Sequence, residues 1–181
     1  MKKETFIKDL SDILVQKRAI TPAKAEDLQK AFATSSIEEY EDFLLEEGLV
    51  LPEHMLEALS HYYGVPAFDV TDYFFDTFYV RKFPKEFLVR NAVIPLQRDE
   101  NILLVVAAEP ERSGLASAMR EFVSYDIRFL VGIKLDIIDA IREYYDKSVS
   151  DVPEDEDMRE EHLESQRANE VMTDESDNDQ E

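Results

Sequence analysis

The chain has no cysteine in 181 residues, so neither a disulfide framework nor a thiolate metal site is available, and a reducing compartment is its expected setting. Glycine is nearly as scarce. The four glycines, Gly48, Gly64, Gly114 and Gly132, form no G-x-x-x-x-G-K-[ST] loop, which removes the backbone cradle and lysine that nucleoside triphosphate hydrolysis needs. Basic residues are few: 20 Lys and Arg stand against 41 Asp and Glu, for a formal net charge of −21. That balance repels phosphate backbones, and no nucleic-acid partner is expected. The longest apolar run, Ile102 to Ala108, falls far short of a membrane span, and MKKETFIKDL at the N-terminus lacks an apolar leader core. A soluble cytoplasmic protein without direct membrane insertion is expected.

What is present is helical periodicity. Over residues 43–70, Leu44, Leu49, Met55, Leu56, Leu59 and Tyr63 recur at three-and-four spacing on one face. Pro52 suits a first helical position and Glu53 the adjacent dipole, while Gly64 suits a left-handed helix end before the Gly64-Val65-Pro66 corner. Residues 6–33 repeat the scheme. Phe6, Leu10, Ile13 and Leu14 form one face, Thr21-Pro22 caps and opens a second helix, and Ala25, Leu28, Ala31 and Phe32 continue it. Ile13-Leu14-Val15 corresponds to Phe43-Leu44-Leu45, and Ile20-Thr21-Pro22 to Val50-Leu51-Pro52. Two tandem helical hairpins, each short of a complete core, are expected to pack as a bundle over residues 1–63.

From residue 64 to 148 the pattern is mixed. An extended run reaches Val70, the aromatic stretch TDYFFDTFYVRKF serves as connector, and Lys85 to Arg90 suits a helix after Pro84. Ala92 to Leu96 and Ile102 to Ala108 read as a hairpin with Pro95 at an edge or bulge. Ser113 is the expected cap of a helix bearing Leu115, Met119, Phe122 and Val123. Arg128 to Ile133 is a strand, and Leu135 to Tyr145 a last helix with Ile138, Ile141, Tyr144 and Tyr145 inward. The expected fold class is α+β: a helical bundle, then a small α/β sandwich in the order strand, helix, hairpin, helix, strand, helix. Leu56 and Ile138 are its expected core markers. Residues 149–181 read as a disordered acidic tail. From Ser150 onward it holds 14 acids against Arg159 and Arg167, a net −12.

Three further patterns invite a functional reading. His54, Glu57 and His61 share a helical face, but nothing clustered completes four metal ligands, so surface residues flanking a core are expected. Ser113-Gly114 before a helix could cradle an anion; with Glu109 and Glu111 beside it, ordinary capping is expected. Phe74, Phe75, Phe78, Tyr79 and Phe83 could be a docking surface, and core is the expected place for them. No metal and no cofactor are expected.

Taken together, the Glu57-Ala58-Leu59 hairpin ending, the corner Gly64 to Asp69, Phe83-Pro84, Val93-Ile94-Pro95-Leu96, the run Leu103 to Pro110, and Ile137 to Tyr145 resemble a known region. Over residues 5 to 147 the chain is similar to the N-terminal, MshEN-like domain of type II secretion and type IV pilus assembly ATPases, the GspE and PilB class. The resemblance implies a non-catalytic protein-interaction or adaptor module, standing alone without its ATPase domain. Its implied partner is a protein, of the kind of a secretion or pilus platform component or an ATPase.

One branch of that family binds cyclic di-GMP through tandem copies of R-L-G-x-x-L-V-x-x-G ending in A-L-x-x-Q, which is the alternative function the resemblance implies. In this chain Asp9 and Glu39 stand at the Arg positions, Ser11 and Glu41 at the first Gly, Arg18 and Gly48 at the second, and Ser35 and Tyr62 at the Gln. The apolar frame is kept and the ligand set is replaced. No nucleotide binding is expected at these eight positions.

Overall fold

Pro22 and Pro52 open two helices in the same way, each in the first helical turn, where its missing N–H leaves no bond unmade. In the computed structural model, which describes residues 2–33 and 36–150, the N-terminal part comprises α1 (Lys2–Gln16), α2 (Pro22–Ala31), α3 (Ile37–Glu46) and α4 (Pro52–Tyr63). Thr21 caps α2 by accepting the Lys24 N–H at 3.2 Å. Ser36 caps α3 in a reciprocal box: the Glu39 N–H donates to Ser36 Oγ at 3.1 Å and the Ser36 N–H to the Glu39 carboxylate at 2.8 Å.

The internal repeat extends to individual hydrogen bonds. After α1, the N–H groups of Lys17, Arg18 and Ala19 donate to the carbonyls of Ile13, Val15 and Leu14; after α3, those of Glu47, Gly48 and Leu49 donate to Phe43, Leu45 and Leu44. Both corners need a left-handed residue, Arg18 at φ 59° and Gly48 at φ 62°. Only the second copy supplies the residue that adopts this freely. Arg18→Gly should relieve a left-handed penalty of about 1–2 kcal/mol against an unfolded-state entropy cost of roughly 0.5–1 kcal/mol. We expect a higher urea midpoint at unchanged slope; a lower midpoint would mean that the Arg18 side chain contributes more than its backbone strain costs.

Helix α1 packs against α2, α3 and α4. Phe6, Leu10, Leu14, Leu28, Tyr40, Leu44, Met55 and Leu59 fill the bundle core, and Val131 and Ile133 enter it from further along the chain. Leu49, Leu56 and Tyr63 are only half-buried, and Ala31 is exposed. Leu56 is therefore a weaker core marker than its periodicity suggests, because Met55 and Leu59 hold the centre of the face.

Gly64 ends α4 at φ 66° as expected. The strand expected after it is reduced to one parallel bridge between Ala67 and Val131. The Phe68 N–H donates to Val131 O at 2.8 Å and the Val131 N–H to Pro66 O at 2.9 Å; Pro66 itself has no N–H with which to extend the ladder. Then follow α5 (Thr77–Val80), α6 (Lys85–Asn91), β1 (Val93–Asp99), β2 (Ile102–Ala107), α7 (Leu115–Arg120), β3 (Asp126–Val131) and α8 (Lys134–Ser150). The sheet order is β1-β2-β3, with β1 antiparallel and β3 parallel to β2.

Pro95 lies on edge strand β1, next to a register shift between Pro95 and Gln97. Gln97, Arg98 and Asp99, read as loop, continue β1 opposite Leu104, Leu103 and Ile102, leaving a two-residue turn at Glu100-Asn101. Their exposed side chains carry no apolar signal, but the backbone pairs all the same. Strand β3 likewise begins at Asp126, two residues before its expected start. Helix α7 is capped by Gly114 at φ 81° with no side-chain bond, so Ser113 is not its cap.

Gly132 answers to space rather than to φ: a Cβ there would stand 2.6 Å from Val106 Cγ1 and 3.2 Å from Ile137 Cδ1. In α8, Ile137 and Ile141 are fully buried and Ile138 only partly, so the inward stripe starts one residue before the expected one. The Tyr145 hydroxyl donates to Phe83 O at 2.8 Å, tying α8 to the α5–α6 segment. The aromatic stripe divides. Phe83 is buried, Phe75 and Tyr79 are half-buried, and Phe74 and Phe78 are 96% and 58% exposed. The expected boundary at residue 148 falls within α8; residues 151–181, which carry nearly all of the expected tail, lie outside the described residues.

Candidate functional site

The motif positions on α1 and α3 have structural occupations of their own. Ser11 is fully buried; its hydroxyl donates to Ile7 O at 2.6 Å and lies 2.6 Å from the Tyr40 hydroxyl. With the Ser11 hydrogen directed to Ile7, Tyr40 is the donor between the two side chains. A position where glycine would allow close backbone approach is thus filled by a hydrogen-bonded pair joining α1 to α3. Glu39 is half of the α3 capping box, a role that needs no ligand. Arg18 and Gly48 are the exposed helix-end corners. Ser35 lies outside the described residues.

The remaining positions converge. Tyr62 is half-buried at the end of α4, with its ring 4.7 Å from Phe6 and 4.9 Å from Tyr63, both edge-on. Burial first, then the charges of Asp9 and Glu111, raise the Tyr62 pKa above the ordinary phenol value. Tyr63 is pushed up further, by burial first and then by Glu41, Glu109, Tyr62 and Glu111. The charges of Asp9 on α1, buried Glu41 on α3 and the loop acids Glu109 and Glu111 thus act on one or other of two neutral tyrosines. Negative charge of this kind disfavours a dianionic ligand nearby. The sequence marked Asp9, Glu41 and Tyr62; it did not mark Tyr63, Glu109 or Glu111 as parts of the same place, because the loop after β2 is far from α4 along the chain.

His54, Glu57 and His61 do not converge on a metal. Glu57 pairs with Lys17 Nζ at 3.1 Å, fastening the end of α1 to α4, His61 is exposed, and no group of three or more His, Asp or Glu among the described residues is placed to hold an ion. No helix among them is long and apolar enough to cross a membrane.

Residues 63–151 match the family described as the MshEN domain. The type IV pilus assembly ATPase PilB of Myxococcus xanthus is 26% identical over 102 residues, covering 56% of this chain and 18% of that protein. The chain thus spans less than a fifth of that relative. Among solved structures, MshE with cdg is similar at a TM-score of 0.59 and 20% identity, over 75% of this chain and 98% of that one. The N-terminal domain of XpsE is similar at 0.53 and 20%, over 74% and 92%. At such identity the two structures speak for the fold, and all eight motif positions precede the first residue matched to the family. Over residues 63–151 the chain is thus similar to the MshEN domain, and over 102 residues to a type IV pilus assembly ATPase.

Proposed function

We propose that the chain is a non-catalytic protein-interaction module of this class, whose partner is a protein component of a secretion or pilus machine, a platform component or an ATPase. The observation that carries this reading is the buried Ser11–Tyr40 pair that closes the glycine position, beside tyrosines on which the negative charges of Asp9, Glu41, Glu109 and Glu111 act. The matched segment is a domain of the ATPases distinct from their catalytic part, and the 181 residues contain no phosphate-binding loop. A cyclic di-GMP sensor is the second reading, supported by the likeness of fold to MshE with cdg. Micromolar affinity corresponds to about 8 kcal/mol. Losing charge-assisted bonds at two arginine positions, each about 1.5–3 kcal/mol, removes a large part of it before the added repulsion is counted. Titration calorimetry with cyclic di-GMP at tens of micromolar protein should give no saturable heat. Saturable one-to-one heat would instead establish the sensor.

A further inference from the structure

The segment from Asp69 to Lys85, tied to α8 by the Tyr145 hydroxyl on Phe83 O, leaves two phenylalanines outside the core. Tyr73 stacks edge-on with Phe68 and Phe75 at 5.2 and 5.0 Å, and Tyr79 packs on Tyr125 at 6.2 Å. These contacts hold the inner rings and turn Phe74 and Phe78 to solvent. The two stand four positions apart, a reach of at most about 14 Å. Charge is divided around them. Residues 69–76 hold Asp69, Asp72 and Asp76 with no base, and the charge of Asp69 is felt by Asp136 of α8. Residues 81–90 hold Arg81, Lys82, Lys85 and Arg90 against Glu86 alone, with Lys82 Nζ 4.3 Å over the Phe78 ring and Lys85 Nζ 5.9 Å over that of Tyr145.

We propose that this strip is a self-association surface, in which two copies pair about a two-fold axis with Phe74 and Phe78 at the centre and the acidic end of each against the basic end of the other. An isologous interface requires a patch complementary to itself. An apolar centre flanked by opposite charges meets that requirement, whereas a purely acidic or purely basic partner would meet like charge at one end. Repulsion between two chains of net charge −21 is screened beyond about 8 Å at physiological ionic strength, while charges in direct contact act within that distance. The patch is small, so the pairing belongs to the weak class below about 1,200 Å².

Sedimentation equilibrium of the full chain at physiological salt should show a reversible monomer–dimer equilibrium at roughly 10–100 µM. Phe74→Ser with Phe78→Ser should weaken it at least about tenfold with unchanged circular dichroism, as expected for central aromatic contacts. The charge variants test the geometry. Asp72→Lys and Lys82→Glu each place like charges opposite one another and should not pair alone; mixed in equal amounts they should form a heterodimer. A chain monomeric throughout that range, a dimer unaffected by the two serine substitutions, or charge variants that pair alone as well as they do mixed would overturn the proposal.

Discussion

Val131→Asp is expected to unfold the bundle and the sheet in a single transition. The Val131 backbone belongs to the sheet: it lies opposite Ala107 of β2 and exchanges hydrogen bonds with Pro66 and Phe68. Its side chain, fully buried, belongs to the bundle core with Leu10, Leu44 and Met55. An unpaired carboxylate there costs several kcal/mol, a large share of the roughly 5–15 kcal/mol that holds a domain folded. Far-ultraviolet circular dichroism, which reports helix, and near-ultraviolet tyrosine signals should fall together at a much lower urea concentration. Leu135→Asp, four residues on at an exposed position, should leave the midpoint nearly unchanged. If the unfolding instead splits into two separate transitions, the two halves are independent and Val131 does not couple them.

Tyr40→Ala should lower stability by about 3–5 kcal/mol, and Tyr40→Phe by only about 1 kcal/mol. The ring is fully buried, edge-on to Phe32 at 5.4 Å, so its removal leaves a cavity between α1 and α3. The hydroxyl contributes one bond to Ser11, whose other bond to Ile7 survives in the phenylalanine variant. Urea titrations of the two variants separate packing from hydrogen bonding, and equal losses would mean that the hydroxyl dominates. Burial raises the Tyr40 pKa, against the smaller opposing effect of the Ser11 bond. A raised folded-state value means the stabilisation is complete below the ordinary phenol pKa near about 10 and is lost as pH rises through the higher folded value. Tyr40→Phe should remove that part of the alkaline decline.

Much of the fold was legible because its signals are local. Thr21-Pro22, Pro52 and Gly64 act within one turn of where they stand, and Pro95 marks both an edge and a bulge. The capping box was legible too: Ser36-x-x-Glu39 has the sequence form of that motif, and reading Glu39 only as a lost arginine passed over its structural role. What could not be read depends on tertiary approach. No periodicity says that Glu109 and Glu111 face Tyr62 and Tyr63, or that Ile137 rather than Ile138 points inward, since either choice keeps the apolar stripe of α8. The reach of Val131 and Ile133 into the bundle is hidden for the same reason.

That reach also sets a timetable. The four helices of the bundle are complete by Tyr63, but two side chains of their core come from residues 131 and 133. At synthesis rates of about 5–20 residues per second, some 70 residues of delay amount to roughly 4–14 s. During that interval the newborn bundle presents an open apolar face on the ribosome, and the arrival of β3 closes it.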